Sequence, residues 1–198
     1  LPHTSEILLI DITYCTAALY RYFKKLSLEM LEDTPATYVD EFKRDYGYFE
    51  GDSIGDLKKH LQSKGVQSQA RTDIIAYPDV MHESIIPIIA QLSGLGLKPG
   101  LITFFMQRAG EDVPVHGDYP YRKNCLLMLP LFYNEFETTE ALTYYPDGGS
   151  YNITQPVIMN VMKRHGVKNI NKDRLMLHIE LPDLNFEQME KHLGEYNA

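Results

Sequence analysis

The sequence predicts an α+β fold with a mainly β core, and three observations carry that prediction. Apolar residues recur at helical spacing through residues 14–96 and then change period, so that residues 100–181 read mostly as strands. In that second stretch strands follow strands without regular helical crossovers, which argues for antiparallel sheets rather than a doubly wound one. Finally, Arg174-Leu-Met-Leu-His-Ile-Glu-Leu181 alternates: Leu175, Leu177, Ile179 and Leu181 make one face, and Arg174, Met176, His178 and Glu180 the other. A leucine-rich back suits packing against the N-terminal helices, and a mixed front suits the wall of a pocket. The strand count fits a double-sheet jelly roll (a cupin-like double-stranded β-helix) in a single domain over residues 1–198, with the N-terminal helices packed on one sheet.

In chain order, the first helix is expected from Thr16 to Leu31, where Leu19, Tyr22, Phe23, Leu26 and Met30 form an apolar stripe. Thr34-Pro35 reads as the start of a second, with Val39, Phe42 and Tyr46 on its inner face. A third runs from Ser53 to Gly65, and a fourth covers Asp79 to Leu92 with a kink at Pro87. Lys98-Pro-Gly100 makes a turn. Leu101–Met106 is rich in β-formers, and Asn124–Leu131 is a continuous apolar run of the kind covered on both sides. Thr139–Tyr145 and Ser150–Ile153 flank Pro146-Asp-Gly-Gly149, a hairpin signal. Val157–Val161 and Arg174–Leu181 complete the strands. Pro182 stops the last one, and Asp183 is placed to cap a short helix over residues 183–192 that ends at Gly194.

With 198 residues, 44% of them hydrophobic, the chain can bury one sizeable core. Its apolar runs fall short of the ~18 residues of a membrane span, since Asp11 interrupts the segment after Ile7-Leu-Leu-Ile10. No basic segment marks a secretory leader, although one removed before Leu1 stays open. The two cysteines, Cys15 and Cys125, read as free thiols, which favours a cytoplasmic location. A formal net charge of −8 repels a phosphate backbone, so the expected partner is a small molecule or peptide rather than nucleic acid or a membrane.

Chemistry concentrates in three places. His116 and Asp118 lie two apart in Val113-Pro-Val-His116-Gly-Asp118, a spacing that puts both side chains on one face of a strand. His165 follows 47 residues after Asp118, and Arg174 another 9 residues on. Two imidazoles and a carboxylate can occupy three neighbouring corners of an Fe(II) octahedron and leave three open, while an arginine offers a planar fork to a carboxylate ligand. His-x-Asp alone is a common pairing, and a turn with a capping carboxylate would also explain it. The specific signal is the combination: His-x-Asp after the first core strand, a histidine after a later one, an arginine opening the last. His178 competes as second histidine, but it sits mid-strand with Glu180 on its face, where an ordinary polar pair is the simpler reading.

This order and spacing resembles the Fe(II)/2-oxoglutarate-dependent oxygenase superfamily. The resemblance spans Leu101 to Leu181 and is strongest in Gly110–Asp118, Arg122-Lys-Asn-Cys-Leu-Leu-Met-Leu-Pro130 and His165-Gly-Val-Lys-Asn169 followed by Arg174. The layout is similar to the aspartyl/asparaginyl β-hydroxylase and proline hydroxylase branches, with the difference that Asp118 stands where some aspartyl hydroxylases lack a carboxylate ligand. The resemblance implies a dioxygenase in which His116, Asp118 and His165 bind Fe(II) and Arg174 holds the distal carboxylate of 2-oxoglutarate. It implies hydroxylation of an unactivated carbon by O2, with release of succinate and CO2. Asn124 and Arg122 are further candidates for co-substrate contact, and Tyr119 and Tyr121, near the metal-bearing end, for substrate contact. Two other readings compete. A non-catalytic cupin-like binding module would keep the fold without turnover, and a hydrolytic zinc site could use the same ligands but would give Arg174 no necessary place.

Overall fold

The computed structural model describes residues 6–33, 74–107, 112–118, 124–131, 142–168 and 174–196. The helices expected at Thr34–Tyr46 and Ser53–Gly65 lie outside these residues. Three helices occur among the described residues: α1 (Thr16–Asp33), α2 (Ile86–Gly94) and α3 (Phe186–Tyr196). The strands are β1 (Ile7–Leu9), β2 (Ile74–Ala76), β3 (Ile102–Gln107), β4 (Val113–His116), β5 (Cys125–Pro130), β6 (Leu142–Tyr144), β7 (Ser150–Tyr151), β8 (Val157–Asn160), β9 (His165–Lys168) and β10 (Arg174–Leu181). They form two antiparallel sheets, a six-stranded one in the order β1-β8-β5-β10-β3-β2 and a four-stranded one in the order β4-β9-β6-β7.

Side-chain alternation sorts the core into two apolar layers, one on each side of the six-stranded sheet. On the helix side, Leu175, Leu177, Ile179 and Leu181 of β10 and Cys125, Leu127 and Leu129 of β5 pack with Leu19 and Phe23 of α1, Ile88 and Leu92 of α2, and Met189 and Leu193 of α3. On the other side, Leu126, Met128, Met159 and Met176 pack with Tyr145 and Ile153. The continuous apolar run of β5 is therefore buried on both faces, and the leucine-rich back of β10 does meet the helices.

Several boundaries differ from expectation for local reasons. The segment from Asp79 is not yet helix: the N–H groups of His82 and Ile85 donate to carbonyls three residues back, in single turns. The helix begins at Ile86, and Pro87 sits in its first turn, where a missing N–H has no helical partner to lose, so it starts α2 rather than kinking it. In α3 the cap is Asn185 instead of Asp183. Asn185 Oδ1 accepts from the Gln188 N–H at 2.8 Å while Gln188 Oε1 accepts from the Asn185 N–H at 2.9 Å, a reciprocal capping box. The helix then runs through Gly194 to Tyr196. His82 stacks on Tyr22 with ring centroids 3.5 Å apart. β1 and β2 join the sheet at its two edges, β2 from a stretch expected to be mainly helical.

Candidate metal centre

β4 and β9 are paired in the four-stranded sheet so that His116 lies directly opposite His165. This register brings together two residues 49 positions apart. His116 is the last residue of its strand; the register breaks between Val113 and His116. Asp118 therefore lies past the strand end, not on the strand face that its spacing suggested. Its backbone N–H donates to the Val161 carbonyl at 3.2 Å, which anchors it across the end of β8. The result is a cluster of three potential ligand atoms, from His116, Asp118 and His165, all within 4.8 Å of one another. Asp118 Oδ1 lies 3.1 Å from His116 Nε2 and 3.3 Å from His165 Nε2. Adjacent corners of an octahedron with ligand bonds of about 2.1 Å are separated by about 3 Å, so both edges that share the carboxylate match metal-ligand spacing.

The outer nitrogens explain why the inner ones face the carboxylate. His116 Nδ1 donates to the Pro114 carbonyl and His165 Nδ1 to the Lys163 carbonyl, each at 2.7 Å and each two residues upstream. A carbonyl only accepts, so each bond fixes the Nδ1–H tautomer and leaves a lone pair on Nε2, the arrangement that metal-binding histidines use. Asp118 and His165 are buried and His116 is partly exposed. The buried Tyr145 packs against His165 with ring centroids 5.8 Å apart, and its hydroxyl donates to the Asn160 carbonyl. Burial, followed by the nearby carboxylates of Glu6 and Asp118, pushes the Tyr145 phenol far above its ordinary range, so it stays neutral.

The cluster opens into a cavity of ≈ 570 Å³ between the two sheets. Val113, Leu126, Met128, Met159 and Val167 supply apolar wall, and Arg174 and His178 of β10 reach it from the six-stranded sheet. Arg174 is buried, and its guanidinium donates to Gln107 Oε1, at 3.2 Å on the neighbouring strand β3. Among the described residues no carboxylate pairs with it, and burial lowers its pKa to about 10. A cation so placed gains most from an anion entering the cavity.

The remaining candidates are placed differently. Asn124 is not part of the cavity wall. It holds a left-handed backbone (φ 65°) just before β5, and its side-chain amide donates to the Pro182 carbonyl. Arg122, Tyr119 and Tyr121 lie outside the described residues. Sequence reasoning missed Gln107 and Thr143, both buried, the second in the cavity wall. Gln107 becomes visible only through the register that sets it beside Arg174, since no local pattern joins residues so far apart.

No protein-family model matches the chain, and no curated protein matches it. Among solved structures, a prolyl-4-hydroxylase from Pseudomonas putida is 17% identical, with 65% of this chain and 83% of that one covered at a TM-score of 0.45. A viral collagen prolyl hydroxylase from Paramecium Bursaria Chlorella virus-1 is 12% identical over 64% of this chain and 87% of that one, at a TM-score of 0.43. A cupin domain from Bordetella pertussis is 17% identical over 42% of this chain and 82% of that one, at a TM-score of 0.32. Two histidines and one aspartate, in the chain order His-x-Asp then His, are gathered at metal-ligand spacing and form a candidate metal centre.

Proposed function

We propose that the protein is a dioxygenase that hydroxylates an unactivated carbon of an amino acid or a peptidyl side chain, with Fe(II) and 2-oxoglutarate as its metal and co-substrate. The observation that carries this reading is the triad with both Nδ1 atoms tied back to carbonyls, which leaves three σ-donors converging on one point. His116, Asp118 and His165 would hold the iron. Fe(II) and 2-oxoglutarate, when bound, would supply the oxidising chemistry: one oxygen atom of O2 goes into succinate as the oxo acid loses CO2, and the other is inserted into the substrate C–H bond to give the hydroxylated product.

The chain's own residues do the rest. The carbonyls of Pro114 and Lys163 hold the imidazoles in one tautomer and orientation. Arg174, a buried cation hydrogen-bonded to a neutral amide, would anchor the far carboxylate of the co-substrate and thereby set its direction in the cavity. Apolar side chains from both sheets exclude water from the space between. A cavity of ≈ 570 Å³ has room for a five-carbon dicarboxylate and part of a second molecule. The two sheets are read as the halves of a double-stranded β-helix, since the strands from β3 to β10 pass back and forth between them.

The test is anaerobic addition of Fe(II) and 2-oxoglutarate, followed by the metal-to-ligand charge-transfer absorption, then admission of oxygen and assay of succinate. The expected result is a band that His116→Ala and Arg174→Ala each abolish or shift, with loss of succinate in both. A succinate yield equal to wild type in both variants would overturn the reading.

A further inference from the structure

We propose that His178 is a co-substrate-binding residue: its imidazole hydrogen-bonds the end of 2-oxoglutarate nearer the metal, while Arg174 holds the other end. The inference rests on the function proposed above and adds to it a second protein contact for the same molecule.

The register of the six-stranded sheet places the two groups. On β10, Arg174 and His178 face the same side, four residues and about 13 Å apart along the strand. Arg174 is level with Gln107, and His178 is level with Thr103 on one side and Met128 on the other. β8 and β10 both run antiparallel to β5, so they advance in the same direction. Met159 of β8 is level with Leu126, and Leu126 with Glu180. Val161, whose carbonyl holds the Asp118 N–H, lies two residues beyond Met159. The triad therefore sits at the end of the sheet toward which β10 runs, and Arg174 at the end from which it starts. A molecule stretched between them passes over His178.

The chemistry of the wall agrees. Of the side chains that β3, β5 and β10 contribute to the cavity among the described residues, Phe105, Leu126 and Met128 are apolar and only Arg174 and His178 are polar. His178 is buried, and its ring lies nearly parallel to that of Phe105, with centroids 5.2 Å apart and planes 15° apart. That stack fixes the imidazole plane, so its nitrogens point along set directions. An extended ligand that carries an anion at each end and a keto oxygen near one of them would meet a cation at β10's start and a second hydrogen-bonding group further along.

The measurement is calorimetric titration of 2-oxoglutarate into Mn(II)-loaded protein under nitrogen, where binding is read without turnover. His178→Ala and His178→Phe, the second of which keeps a ring against Phe105, are each expected to raise the Kd about ten-fold. His178→Gln keeps a side-chain donor and is expected to recover most of that loss. Mn(II) affinity, titrated separately, should stay at the wild-type value in all three, which a general loosening of the site would not allow. If His178→Phe and His178→Ala bind 2-oxoglutarate as wild type does while Arg174→Ala loses it, the role of His178 is overturned and the proposed function stands. If the wild-type protein takes up Mn(II) but not 2-oxoglutarate, both fall together.

Discussion

At the scale of single residues, the proposed site separates groups that would hold a metal from one that would receive an anion, and each kind has its own expected failure. Loss of outer hydrogen bonds alone typically weakens a metal site by roughly 10–100-fold. Removal of a ligand, as in Asp118→Ala, should therefore weaken Mn(II) binding by at least the upper of those figures, with calorimetry as the check. Arg174 behaves in the opposite sense for stability. Its pKa falls from 12.5 to about 10 because burial disfavours the cation. Between those two values the unfolded chain holds the proton that the folded one has lost, so stability rises with pH across that window and the penalty is fully present below it. Arg174→Met should accordingly raise the unfolding temperature of the metal-free protein at pH 7–9, by an amount worth about 1 kcal/mol, while abolishing affinity for 2-oxoglutarate. The gain should shrink as the pH rises past about 10. A variant less stable than wild type at pH 7 would show that the guanidinium is already compensated without an anion.

At the scale of elements, the decisive contact is the pairing of β4 with β9, and Gly166 guards it. A Cβ at Gly166 would stand 3.0 Å from the Val113 carbonyl oxygen, part of the opposing backbone, and 2.9 Å from the Tyr144 hydroxyl. The tyrosine can swing away, but the paired strand cannot. Gly166→Ala should cost about 1–3 kcal/mol by overpacking and weaken Mn(II) binding, because His116 and His165 face each other across that pairing. Asn124 offers a contrasting test. Asn124→Ala loses the bond to Pro182 and leaves a side chain in a left-handed backbone, a cost of about 1–2 kcal/mol. A drop in unfolding temperature with an unchanged Kd for 2-oxoglutarate would assign it to the architecture of β5 rather than to the ligand. Much at this scale was legible in the sequence. The alternation of Arg174–Leu181 predicted both faces of β10, and Pro146–Gly149 marked the β6–β7 turn. Less was legible where tertiary contacts decide. His116, Asp118 and His165 were recognisable as a set, yet the spacing of His116 and Asp118 suggested a shared strand face, whereas the strand stops at His116 and Val161 supplies the anchor. β2 is three residues long and gains its identity from pairing with β3, which its own composition does not announce.

At the scale of the whole molecule, the six-stranded sheet is a partition. One side is sealed by helices over leucines and isoleucines, and the other carries the cavity. Substitutions on its two faces should therefore separate stability from chemistry. Leu177→Ala, fully buried on the helix side, should cost about 2–5 kcal/mol in denaturant unfolding and leave the Kd for 2-oxoglutarate within two-fold wherever the protein is folded. A large change in that Kd would mean that the helix layer sets the shape of the cavity. Residues 34–73 lie outside the described residues, and among those described the helix side of the sheet is formed by α1, α2 and α3. No helix among the described residues is long and apolar enough to cross a membrane.

The carbonyls behind the two imidazoles carry a consequence for what the protein will contain when isolated. With both rings held in the metal-ready tautomer before any ion arrives, a divalent cation meets a finished half-shell and has little left to organise. Such a seat discriminates poorly, and copper, nickel and zinc outrank iron for nitrogen and oxygen donors in intrinsic affinity. An ion found in freshly purified material would thus record the metal supply of the culture, and reconstitution with ferrous iron after chelation is the state in which the proposed activity should be judged.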